Sequence, residues 1–420
     1  MTARSVLVAL VALFGLVLPL GAADWPQWRG PERTGISPEK GLLTEWPAEG
    51  PKLVWHVKDL GDGYSTPAVV GDRLYVIANA GIDNEYVRAL SSADGSTVWT
   101  TTIGKVGANR GPQYPGSRST PTVDGELVYA LGSDGDLACL GASDGQIRWK
   151  KNLRSDFGGV PGAWAYSESP LVDGDKLIVC PGGATATVVA LDKQSGDVIW
   201  KSALPEADEA AYASAIVADF GGVKQYVQFL QKGLVGVEAA TGQLLWRYTK
   251  TAEGSPANIP TPIAGDNSVY SGATRSGGGL VRLEANGSTL EPHEVYFAKT
   301  LPTSIGGAVK IGDYLYGSNS GGMLCVEFAT GELKWQDRSI APGAVCYADG
   351  LIYLHGENGD VALVEATPDG YHEHGRFTPP DLPERDKGKA WTYPVVANGR
   401  LYIRDVGAVW CFDVSGAAGK

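Results

Sequence analysis

STPTVDGELVYALGSDGDLACLGASDGQIRW, Ser119 to Trp149, is one complete structural unit. It opens as a hairpin: STPTV, an Asp-Gly turn at Asp124-Gly125, then ELVYAL. β-Branched and aromatic residues bounded by turn residues read as strands, and glycine tolerates the positive φ a tight turn needs. A second hairpin follows, with DLACL turning at Asp144-Gly145 into QIRW. Two hairpins in succession make a four-stranded antiparallel sheet. Pro121 is acceptable because the first residues of a strand need not donate to the ladder.

The unit recurs. STPAVVGDRLYVI (Ser65 to Ile77), ESPLVDGDKLIVC (Glu168 to Cys180), PTPIAGDNSVYSG (Pro260 to Gly272) and TYPVVANGRLYIR (Thr392 to Arg404) repeat its first half. LSSADGSTVW, LGASDGQIRW, LDKQSGDVIW, VEAATGQLLW and VEFATGELKW repeat its second, ending at Trp99, Trp149, Trp200, Trp246 and Trp335. With Trp55 ahead of them, the aromatics recur at about 45–50 residues, a propeller period. Tyr296 and Phe377 fill the degenerate positions. Units fall at 65–100, 119–151, 168–202, 213–248, 260–297, 305–337, 342–377 and 392–414. The last stops after three strands, and Leu53 to Lys58 supplies a fourth from the other end of the chain. The expectation is an all-β, eight-bladed propeller whose last blade is closed by the N-terminal strand, which removes the open sheet edge. Seven blades plus a spare strand pair is the alternative.

Met1 to Arg4 is followed by an apolar run, Val6 to Leu20, and by Gly21-Ala22-Ala23. That pattern reads as a signal peptide, 1–23, cleaved after Ala23. The segment 24–51 leads into a propeller spanning 52–414, with a tail at 415–420. No other run approaches a membrane span, and no cysteine precedes Cys139, so a soluble periplasmic or secreted monomer without a lipid anchor is expected. The charge balance, 35 Lys+Arg against 47 Asp+Glu, argues against nucleic acid and anionic lipid as partners.

The A-x-D/N-x-x-T-G-x-x-x-W form of the second hairpin resembles the tryptophan-docking repeat of the pyrroloquinoline quinone (PQQ)-like propeller families, which include quinoprotein alcohol dehydrogenases and BamB-like assembly factors. The resemblance covers about Trp46 to Val414. DWPQWRGPERTGIS (Asp24 to Ser37) and AYSESPLVDGDKLIV (Ala165 to Val179) are similar to PQQ-like repeat proteins of planctomycete-type bacteria. The resemblance implies that Trp55, Trp99, Trp149, Trp200, Trp246 and Trp335 dock blades together. It specifies fold far better than function.

In the dehydrogenases the resemblance implies PQQ and calcium on the axis beneath an adjacent-cysteine disulfide. Here Cys139, Cys180, Cys325, Cys346 and Cys411 are never adjacent, and no C-x-x-C-H haem motif occurs. Cysteines at equivalent blade positions read as small apolar packing. His372 and His374 read as a solvated blade edge rather than a metal site, and Glu206, Asp208 and Glu209 as a solvated acidic loop. No catalytic constellation, resident cofactor or metal is expected. PQQ with calcium is retained only with the alternative dehydrogenase reading.

Turns within hairpins are short. The long links are 100–118, 151–167, 202–212, 250–259 and 378–391, all expected on one face, where binding residues concentrate. They and the adjoining strand starts carry Arg110, Tyr114, Arg118, Trp164, Tyr166, Glu168, Asn258, Trp391 and Tyr393. Arg118 and Glu168 open inner strands of consecutive blades, so both are expected near the axis and able to pair. Arginine among aromatics suits an organic anion, a sugar or a peptide. The expected function is non-catalytic binding of a protein, peptide or small ligand on this face. A PQQ-dependent dehydrogenase and a polysaccharide-binding propeller are the alternatives.

Overall fold

The computed structural model describes residues 23–110, 114, 116–385 and 388–416. The proposed signal peptide therefore lies outside the described residues up to Ala23.

Each repeat folds as the local pattern dictates, and eight sheets form the eight blades of an all-β propeller. Blade 1 runs Ala68–Val70, Arg73–Ala80, Asn84–Ser91 and Thr97–Gly104, innermost strand first. Blades 2 to 7 repeat that order. In blade 8, Val395–Ala397, Arg400–Asp405 and Ala408–Asp413 are joined by Lys52–Val57, which pairs antiparallel with Ala408–Asp413 (Leu53 opposite Phe412, Trp55 opposite Cys411). The two ends of the chain thus share a sheet, as expected.

The structure shows why tryptophan and glycine travel together in the repeat. The Trp55 indole N–H donates to Ser92 O of blade 1 (2.9 Å), Trp99 to Ala142 O of blade 2 (3.0 Å), Trp149 to Lys193 O (3.1 Å) and Trp200 to Ala239 O (3.3 Å). Each ring lies flat on the turn glycine of the next blade. A Cβ on Gly145, which sits at φ +66°, would stand 2.5 Å from the Trp99 ring. Tyr296 docks likewise, over Gly331 and on Phe328 O (2.9 Å), while Trp335 donates to Thr367 O (2.8 Å) but meets Tyr371 edge-on rather than a glycine.

Trp246 departs from the docking expectation. Its N–H turns back to Gln225 of its own blade. The outer hairpin of blade 5 is unusually long, Gly277–Asn286 with Thr289–Ala298, and its turn glycine, Gly287, faces open space. Trp246 therefore sits on no turn glycine of the next blade; its ring lies against Gly236 of its own blade, where a Cβ would stand 2.1 Å from the indole nitrogen, and is held there by the Gln225 hydrogen bond and packing.

The lead segment is more than an approach to the propeller. Residues 24–39 run into the axis and touch every blade. Trp25 exchanges backbone hydrogen bonds with Val69 of blade 1, and Pro26 O accepts from Val123 N of blade 2. Arg33 reaches Ser169 O and Pro170 O of blade 3 and Ala215 O of blade 4. Trp28 Nε1 donates to Thr261 of blade 5 (2.8 Å), and Arg29 to Ala308 O of blade 6 (2.6 Å). Ile36–Ser37 adds a parallel fifth strand to the inner edge of blade 7. The Glu39 carboxylate accepts from the Asn398 and Gly399 N–H groups of blade 8. The segment is therefore an axial plug.

All five cysteines are buried thiols, and Cys139, Cys325 and Cys411 hold the equivalent blade positions expected to pack as small apolar groups.

Candidate functional site

The plug stops short of the long-loop face, and a cavity of about 300 Å³ lies above it. The links into blades 1 to 6 and blade 8 all reach its wall, because links on that face run toward the inner strand of the next blade. Trp28 from the plug also lines it. Around it stand Tyr64, Tyr114, Trp164, Tyr212, Trp391 and Tyr393.

The rings brace one another. Trp28 meets Tyr393 edge-on at 4.6 Å, Tyr114 meets Trp391 at 4.9 Å, Tyr64 meets Trp391 at 5.2 Å, and Trp164 meets Tyr212 at 5.9 Å. Such pairs fix ring orientation beyond simple area burial. Arg118 lies among them, its guanidinium 5.9 Å from the Tyr64 ring centre. It donates to the carbonyls of Trp164 (2.8 Å), Gly116 (3.2 Å) and Tyr114, so it ties two long links together. Burial pulls its pKa down from the usual arginine value, opposed by the neighbouring Tyr64.

Of the residues expected on this face, Arg118, Tyr114, Trp164, Trp391 and Tyr393 line the cavity. Four others are elsewhere. Tyr166 is buried with its hydroxyl on Pro181 O (2.8 Å). Asn258 is fully buried and donates to Leu230 O (2.7 Å). Arg110 is exposed, pairs with Glu209 (2.7 Å) and bonds Pro161 O. Glu168 does not pair with Arg118: its carboxyl turns into its own blade and accepts from Cys180 N. Asp208, expected in a solvated loop, is buried, accepting from Arg247 (2.8 Å) and from Lys232 N (3.0 Å). These departures share a cause: strand starts and loop corners carry backbone donors that need buried acceptors. Sequence reading missed Trp28, Tyr64, Tyr212 and Ser167, although Trp28 lies in the DWPQWRGPERTGIS phrase.

The buried carboxyls make stability depend on pH. Burial lifts Glu168 to about 8, opposed by the Cys180 N–H and the charge of Arg33; burial likewise lifts Glu85 to about 8, opposed by Ser133. Unfolded, both titrate near 4.5. Between those values the folded protein keeps protons that the unfolded chain has lost. Their contribution is full below pH 4.5 and is lost as pH rises through 8. His355, held low by burial, acts oppositely, so the test is a difference between proteins. Glu168→Gln keeps an acceptor for Cys180 N and removes the ionisation. Relative to wild type, it should gain about 2–4 kcal/mol on going from pH 5 to pH 8, read from urea midpoints. An identical pH dependence in both proteins would contradict it.

The quinoprotein resemblance implies PQQ and calcium on the axis. The described cavity lining does not fit that pair: no aspartate or glutamate is among its described residues, whereas calcium takes six to eight oxygen ligands, carboxylates prominent among them. Among the described residues no three His, Cys, Asp or Glu side chains gather in a metal-binding group.

A family model described as "Outer membrane protein assembly factor BamB" matches residues 32–161 and 83–337. The chain belongs to the BamB family. The Yersinia pestis outer membrane protein assembly factor BamB is 25% identical over 244 residues, 53% of this chain and 55% of that protein. The polyvinylalcohol dehydrogenase of a Sphingopyxis species is 26% identical over 164 residues, 35% of this chain and 25% of that one. The chain thus matches about half the length, or less, of these relatives. Among solved structures, BamB from Moraxella catarrhalis superposes with a TM-score of 0.59 at 18% identity, over 85% of this chain and 99% of that one. A quinohemoprotein alcohol dehydrogenase from Comamonas testosteroni gives 0.52 at 13% identity, over 94% and 81%. At these identities the structural likeness is one of fold. No helix among the described residues is long and apolar enough to cross a membrane.

Proposed function

We propose that this BamB-family chain acts by binding, not by chemistry, and engages a protein, peptide or small ligand through the aromatic funnel on its long-loop face. The observation that carries this is the convergence of seven aromatic rings and Arg118 on one open cavity at the axis. Preformed, mostly apolar concavities with a few placed polar groups are the usual ligand sites of soluble proteins. The Gly21-Ala22-Ala23 pattern and the names of the relatives support placement in the periplasm.

Photo-crosslinking in cells tests this reading. A benzoylphenylalanine replacing Trp164 at the funnel should yield adducts at least about fivefold more abundant than one replacing Val98, which is exposed on an outer strand. A central aromatic anchor typically carries a large share of binding energy. Equal yields at the two positions, or none at 164, would defeat the proposal.

A further inference from the structure

The cavity's polar groups are unequally divided. Among the described residues its side chains offer donors and a positive charge, and no carboxylate. Arg118 spends its hydrogen bonds on three backbone carbonyls and forms no ion pair among the described residues; the one carboxyl that acts on its charge, Glu85, is buried outside the cavity lining. Trp391 lines the cavity, and its indole N–H is buried with no partner among the described residues. Ser167 lines it too, is only 9% exposed, and its hydroxyl is likewise unpartnered. Arg275 stands exposed at the cavity edge.

Buried donors left unpaired are costly, and native structures seldom leave several in one place without a reason. The group that would complete this set brings acceptors and one negative charge. The rest of the wall is aromatic rings with Ile259, Ile305, Pro256 and Ala257, which suits a flat apolar body. Inorganic anions would leave that wall uncovered. A neutral sugar would match the rings but leave the guanidinium uncompensated.

We infer that the funnel recognises an organic monocarboxylate: a single carboxylate, met by Arg118, Ser167 and Trp391, attached to an aromatic or bulky apolar group. This rests on the binding reading above and specifies its chemistry. One carboxylate on one deep guanidinium balances charge, whereas a polycarboxylate would bring further charges into an apolar wall. The shared chemistry occurs in two sources, a free aromatic acid and the C-terminal residue of a polypeptide.

The test uses the full mature chain and titrates tryptophan fluorescence with four probes: 3-phenylpropionate, its neutral amide, a short peptide ending in Phe with a free carboxylate, and the same peptide amidated. At least one acid should bind about tenfold or more tightly than its own amide, the usual scale of a hydrogen bond to a charged group. If the free acid alone shows this preference, the source is a small molecule; if the peptide alone shows it, the source is a chain terminus. Arg118 braces the links, so its substitution confounds folding with binding. Trp391→Phe keeps a ring and removes the N–H, and Ser167→Ala removes only a hydroxyl. Each should weaken the acid several-fold and leave the amide unchanged, with the melting temperature held. Acid and amide binding equally, with both affected by Trp391→Ala, would overturn the carboxylate assignment and leave the funnel a binding site. No binding by any probe at millimolar concentration, together with no crosslinking at position 164, would overturn both.

Discussion

A chain beginning at Asp59 is expected not to fold cooperatively. The lost segment contains Lys52–Val57, the outer strand of blade 8, which pairs along Ala408–Asp413. It also contains Trp55, buried on Tyr402 and bonded to Ser92 O of blade 1. Gly50 is lost with it. At φ +82° Gly50 lies under the Phe377 ring, where a Cβ would stand 2.4 Å away, so the junction between blades 7 and 8 loses its seat too. Deleting one large buried aromatic costs about 3–5 kcal/mol, a large part of the 5–15 kcal/mol that stabilises a typical domain. The exposed edge of Ala408–Asp413 would then invite intermolecular pairing. Circular dichroism melts should show no cooperative transition, and the chain should aggregate unless residues 24–58 are supplied as a separate peptide. A truncated chain that melts cooperatively and stays monomeric would show that the ring does not depend on this closure.

Arg33→Ala is expected to cost about 3 kcal/mol or more, far above the ±0.5 kcal/mol of an ordinary surface substitution. Arg33 is buried in the plug, and its guanidinium donates to Ser169 O (3.2 Å), Ala215 O (2.9 Å), Pro170 O and Gln27 Oε1 (2.9 Å). Removing it takes that donor from Ser169 O and Ala215 O, at about 1–3 kcal/mol for each buried group left unpaired, while Pro170 O keeps the Thr122 hydroxyl (2.5 Å). One effect opposes this. Burial depresses the Arg33 pKa to about 9, so the charge itself is costly to hold, and deleting it returns part of the loss. The carbonyls outnumber the charge, which decides the sign. Arg33→Lys should recover little, since a single ammonium cannot span the fork of acceptors. Urea unfolding of both variants measures this. An Arg33→Ala protein within 0.5 kcal/mol of wild type would mean that the plug is dispensable to the ring.

The repeat was legible because its information is local. A blade is two hairpins, and the residues that define them (the turn glycine, the alternating strand residues, the terminal tryptophan) lie within about 40 residues of one another. Closure by Leu53 to Lys58 followed from counting strands, since an unpaired edge is unfavourable wherever the chain ends. The long links and their aromatics were legible for the same reason: link length shows directly in the spacing of the strands, and five of the nine expected face residues do line the cavity.

Tertiary structure alone decided the rest, because those outcomes depend on what a side chain meets far along the chain. Arg29 reaches Ala308 and Arg33 reaches Ala215, contacts that no period or spacing within DWPQWRGPERTGIS encodes. Trp246 carries the same motif as Trp200, yet docking also requires the next blade's turn glycine at the right height, and blade 5 places its turn too far out. Arg118 and Glu168 both open inner strands and look equivalent in sequence. Arg118 remains at the funnel because loop carbonyls hold it there, while Glu168 turns inward because Cys180 N–H needs an acceptor. Local pattern determines which strands form and in what order. Which polar groups face the ligand is set by the hydrogen-bond demands of backbone brought close only when the ring closes.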